Sequence, residues 1–93
     1  MASSREAFRR LEMWKNARTL LKLTVNAQPS LRQIGHLFHV DEDEEEIGFV
    51  DEASRDNGPA LNLRGATFTI GERTLEATRP GEGSLLLEEF LVS

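Results

Sequence analysis

A chain of 93 residues, 39% hydrophobic and 29% charged, is sized for a single domain with one small core and is too apolar to be disordered throughout. Cysteine is absent, which excludes a disulfide framework, a thiol nucleophile and thiolate-ligated zinc. The net charge of −5 is uneven: residues 1–40 hold seven Lys/Arg against Glu6 and Glu12 (net +5), and residues 41–93 hold four Arg against fourteen Asp/Glu (net −10). Such halves favour head-to-tail or intramolecular pairing over one uniform basic face for nucleic acid.

The N-terminus, MASSREAFRR, has no apolar leader segment, and the longest aliphatic run is Leu85-Leu86-Leu87. No membrane span is expected, and a cytoplasmic location follows as the default. A helix is predicted over 3–16. Ser3 and Glu6 stand at capping-box spacing, and Ala7, Leu11 and Trp14, with Phe8 alongside, form one apolar stripe. Arg5, Arg9 and Arg10 lie off that stripe. Basic side chains so placed suit a solvated face on a helix docked by its other side, and also suit a membrane surface or RNA.

From Arg18 the period becomes two. Leu21, Leu23 and Val25 alternate with Leu20, Lys22 and Thr24, as in a strand, although a Leu-rich run this short also fits a helix. Further strands are predicted over 31–40, 47–50, 60–70, 74–78 and 84–92. They are separated by turn signals at 26–30, 56–59, 71–73 and 80–83. Two of these strands break their own alternation. Gly35 and Leu37 share a face that Val40 leaves, and Leu61 and Leu63 are out of phase with Ala66, Phe68 and Ile70, with Arg64-Gly65 at the slip. A small barrel needs strands that bend in this way. The expected fold is one mostly β domain over 1–93: a short N-terminal helix, then over 18–92 a small bent antiparallel barrel or roll of about six strands.

The acidic run DEDEEE (41–46) invites comparison with a calcium loop. Asp41, Asp43, Glu45 and Glu52 stand at positions 1, 3, 5 and 12, but Glu46 occupies position 6, where the loop's sharp turn needs glycine. Its flanks, HLFHV and IGFVD, read as strands rather than helices. A hairpin tip with its carboxylates in water, blunting the sheet edge, is the expectation. His36 and His39, three apart on an extended strand, point to opposite faces unless the strand bends, which is poor geometry for a shared metal. No catalytic grouping, cofactor motif or small-molecule site is evident, so an enzyme is not expected.

IGHLFHVD (34–41) has the form Gly-x-Leu-x-x-hydrophobic-Asp and resembles the first motif of Sm-like proteins. LNLRGATFTI (61–70), with Arg64-Gly65 before apolar alternation, resembles the second. The resemblance implies a helix plus a five-stranded bent barrel, ring assembly by edge-strand pairing, and RNA binding through loops beside the motifs, with Arg64 and Gly65 as pocket residues. The family's stacking residue and asparagine fall on Asp43 and Glu45, which would repel phosphate. The resemblance spans residues 20–70, and 71–93 add a hairpin beyond the family's normal end.

The expected function is a non-enzymatic interaction or assembly module that forms a homo-oligomer. The alternative is an Sm-like binder of RNA or single-stranded nucleic acid, using Arg64 and Gly65 with Arg5, Arg9 and Arg10. The predicted oligomer contact is the C-terminal strand. Its apolar residues lie on both faces, with Leu86, Phe90 and Val92 opposite Leu85, Leu87 and Leu91, so that both faces need a cover.

Overall fold

The computed structural model describes residues 3–27, 30–53 and 60–90. Helix α1 (Ser4–Ala17) starts at the predicted cap with half of the capping box formed: the Glu6 N–H donates to Ser3 Oγ at 3.2 Å, while the Glu6 carboxylate accepts from the Ser3 hydroxyl at 3.3 Å. It ends on Arg18, held left-handed at φ 53° and ψ 41°. The Arg18 N–H donates to Lys15 O and the Thr19 N–H to Trp14 O, a Schellman closure built without its usual glycine.

Ala7, Phe8, Leu11 and Trp14 are buried, as the apolar stripe predicts. The Phe8 ring meets Phe68 edge-on at 6.1 Å. Arg10 donates from Nη1 to Gly71 O (3.1 Å) and Glu72 O (3.3 Å), while its guanidinium lies 5.5 Å from the Trp14 ring centre. Trp14 in turn donates its indole N–H to Glu89 Oε2 at 3.3 Å. A buried indole needs such an acceptor, and the two bonded side chains tie the helix to the C-terminal strands.

Seven antiparallel strands follow: β1 (Leu21–Asn26), β2 (Leu31–Asp41), β3 (Glu46–Asp51), β4 (Leu61–Asn62), β5 (Thr67–Ile70), β6 (Thr74–Arg79) and β7 (Gly83–Glu89). They form one sheet in the order β4-β3-β2-β1-β7-β6-β5. Every neighbouring pair but one is consecutive in the chain; β1 and β7 are the exception, paired from Leu21↔Glu89 to Asn26↔Ser84. The Leu-rich run after the helix is therefore a strand. The outermost strands, β4 and β5, are consecutive in sequence and joined by residues 63–66 alone. A link so short spans at most about 14–18 Å, so the sheet curls until its ends approach, yet no ladder joins them.

The predicted strand over 60–70 is thus two strands at opposite ends of the sheet. Glu46 and Ile47 pair with Asn62 and Leu61, whereas Thr67 to Ile70 pair with Thr78 to Leu75. The break is a turn at Arg64-Gly65, closed by Ala66 N–H to Leu63 O at 3.0 Å, with Gly65 at φ 79°. The predicted strand over 84–92 ends its ladder at Glu89, after which Phe90 N–H donates to Leu20 O at 2.9 Å. Val92 and the turn signal at 56–59 lie outside the described residues.

The second phase slip has two parts. At Gly35 the strands crowd together: a Cβ there would overlap the Val50 carbonyl oxygen. At Phe38 the ladder carries a bulge, with Leu37 paired to Phe49 and His39 to Gly48. The extra residue returns Val40 to the inner side, where it packs on the core. Inside the sheet lie Leu21, Leu23, Leu37, Ile47, Phe49, Leu63, Phe68, Leu75, Ala77, Leu85 and Leu87. No polar or charged residue is buried among the described ones.

Candidate interaction surface

The acidic run and the Arg64-Gly65 turn, far apart in sequence, meet in space. DEDEEE closes the β2–β3 hairpin: Glu45 N–H donates to Glu42 O (3.2 Å), Glu44 N–H donates to Asp41 Oδ1 (3.1 Å), and Glu45 is left-handed at φ 53°. The strand flanks rule out the helix–loop–helix frame of a calcium loop. Arg64 faces this tip, with Nη2 3.9 Å from Glu44 and Nε 4.0 Å from Glu45. Two acids of the run thus stand beside Arg64, one of the cations that the Sm-like reading uses for RNA. Arg64 and Glu44 are largely exposed and both contacts are long, so the pairing adds little stability. Its effect is on charge, because a phosphate approaching Arg64 meets two carboxylates first.

The bulge changes the expectation for the histidines. His36 pairs across with Val50 and His39 with Gly48, and the intervening extra residue places both on the outer face. They still diverge: His36 Nδ1 lies 3.7 Å from Glu52 and His39 Nε2 4.0 Å from Glu46, at opposite ends of β3. Among the described residues, no three His, Asp or Glu side chains come together to hold a metal.

The helix arginines part company. Arg10 is committed to the β5–β6 turn and to Trp14, whereas Arg5 and Arg9 are exposed and make no ion pair among the described residues. No helix is long and apolar enough to cross a membrane. A cavity of about 180 Å³ opens where the curled sheet fails to close, between Leu61, Leu63, Val25, Ala77 and Leu85. Arg79 stands at its edge, engaged with Asn62 O at 3.2 Å and Glu82 at 2.6 Å.

The C-terminal strand is less apolar outside than its sequence suggests. Leu85 and Leu87 point inward; Leu86 points outward, half-buried between Thr24 of β1 and Glu76 of β6. Phe90 is 38% exposed beyond the strand end. The larger outer apolar surface lies on β2, where Ile34 (38%) and Phe38 (44%) flank His36, with Val50 across from it and Leu20 opposite Phe90. Phe38 lies over Gly48, where a Cβ would come within 2.6 Å of its ring.

This outer phase, Ile34-x-His36-x-Phe38, stands in the sequence as the alternate phase of the Gly35/Leu37 strand and was missed as a surface. Around Ile34 the outer face carries Lys22 on β1 to one side and Glu52, just after β3, on the other. Compared with protein-family models, with curated proteins and with solved structures, the chain matches none.

Proposed function

We propose that the chain is a non-enzymatic assembly module that associates with copies of itself through the outer face of β7-β1-β2-β3. The observation that carries this reading is a set of large apolar side chains left partly in water on one side of the sheet, Ile34 and Phe38 either side of His36 and Phe90 beyond Leu20. Large apolar side chains left exposed on one face are what protein interfaces cover. Phe90 and Leu86, expected from sequence at an oligomer contact, sit at the rim of this face, with its centre on β2.

Two further observations favour assembly over catalysis or nucleic-acid binding. Catalytic carboxylates and histidines are tuned by burial, and no polar or charged residue is buried among the described ones. Of the cations an Sm-like RNA site would use, Arg64 is flanked by Glu44 and Glu45, and Arg10 is spent on the helix.

Light scattering coupled to size-exclusion chromatography, run over a concentration series, tests the reading. A mass of two or more 10.5 kDa copies is expected, falling on dilution. A mass of one copy throughout would overturn it. A gel shift with single-stranded RNA that weakens steeply as salt rises would move the function to nucleic acid.

A further inference from the structure

The outer face has a charge pattern that selects one way of placing two copies. Lys22 and Glu52 stand on opposite sides of Ile34, each about one strand spacing of 4.8 Å from the line of β2. Lys22 is exposed and makes no ion pair among the described residues; Glu52 is 58% exposed, with His36 3.7 Å away. Along β2 itself the outward residues are Ile34, His36 and Phe38, with Arg32 at the end.

Two identical faces docked face to face are related by a two-fold axis in the plane between them. An axis perpendicular to β2 would set Lys22 against the other copy's Lys22 and Glu52 against Glu52. An axis parallel to β2 exchanges the two sides of the strand: each Lys22 then meets a Glu52, and Ile34, His36 and Phe38 meet their own counterparts along the axis, with each imidazole beside its own chain's Glu52. Like charges opposed across a contact oppose docking, and opposite charges favour it.

Resting on the assembly reading, we infer that the partner on this face is a second copy of the chain, in a two-fold dimer whose axis runs along β2, with Lys22 of each copy against Glu52 of the other. Arg32 meets its counterpart only at the rim, where water and salt screen the repulsion. Glu88, directly across from Lys22 within the same chain, is the internal competitor for that lysine.

Charge reversal tests the arrangement, because it predicts a pattern that loss of folding cannot imitate. Lys22→Glu sets two acids against each other at both symmetric contacts, and Glu52→Lys sets two bases. Each variant alone is expected to dissociate at least about tenfold more readily than the natural chain. Mixing the two restores opposite charges at both contacts, so equal amounts should form a heterodimer as tight as the original. The double variant Lys22→Glu, Glu52→Lys should likewise dimerise. Sedimentation velocity reads these four samples and the natural chain. If the natural chain associates but the single reversals do not weaken it, or the mixture stays monomeric, the arrangement is wrong while the assembly reading stands. If the natural chain is monomeric throughout, both fall.

Discussion

Gly35 and Gly65 both mark a place where a strand loses its alternation, and the two sites are built on opposite physical grounds. Around Gly35 there is no room: β2 bends so closely over β3 that a Cβ would overlap the Val50 carbonyl, while Glu52 N–H reaches Ile34 O at 2.8 Å. Around Gly65 there is nothing but room, and the constraint is the backbone, at φ 79° with no atom within 4 Å of where a Cβ would stand. A glycine at a phase slip is therefore an ambiguous sign. It reports either a neighbour or a dihedral, and only the surroundings say which.

Substitution separates the two. Gly35→Ala is expected to have the largest effect: backbone must move to admit even a methyl group, so a loss of more than about 4 kcal/mol is expected, enough to unfold much of a small domain. Urea denaturation followed by circular dichroism measures it, and a loss under about 1 kcal/mol would show that β2 relaxes easily. Gly65→Val should cost about 1–3 kcal/mol, because a β-branched side chain tolerates a left-handed backbone badly.

Asparagine sharpens the contrast. It accepts the left-handed region, so Gly65→Asn should cost well under 1 kcal/mol, whereas at Gly35 it should be at least as damaging as alanine. Equal costs at the two positions would erase the distinction. The smallest effect lies where the backbone is left-handed and no glycine is present. Arg18 closes the helix at φ 53°, and Arg18→Gly should stabilise by about 0.5–1 kcal/mol in the same urea titration.

The legible parts of the fold were those set by local chemistry. Ser3 and Glu6 announced the helix start, the stripe from Ala7 to Trp14 gave its buried face, and period-two alternation placed most strands. The slip between Leu37 and Val40 was legible as lost alternation, but its seat at Phe38 was not, because neither Phe38 nor its neighbours Leu37 and His39 has the turn chemistry that marks an irregularity. An unbent strand sends His36 and His39 to opposite faces and turns Val40 away from the core; the bulge supplies the bend that reverses both.

The C-terminal strand shows a second limit. Alternation says which side chains share a face, but not what lies beside them. Leu86 read as half of a second apolar face; between Thr24 and Glu76 it is a single leucine in polar company. Cross-strand neighbours come from register, and register between β1 and β7, separated by most of the chain, is written nowhere locally. The encounter of Arg64 with the acidic hairpin was hidden for the same reason, since it depends on how β3 and β4 bring two distant turns together.

The pairing of β1 with β7 also sets when this protein can begin to fold. As the chain leaves the ribosome, helix α1 and β1 emerge first, but the strand that completes β1 and the Glu89 carboxylate that receives the Trp14 indole come some seventy residues later. Until then the apolar side of β1 and the face of α1 bearing Phe8 and Trp14 lack much of their cover. Non-local closure of this kind delays cooperative folding and lengthens the interval in which apolar segments can meet the wrong neighbour. Closure of the sheet here waits for β7, and a nascent chain stalled before it is the form most in need of a chaperone.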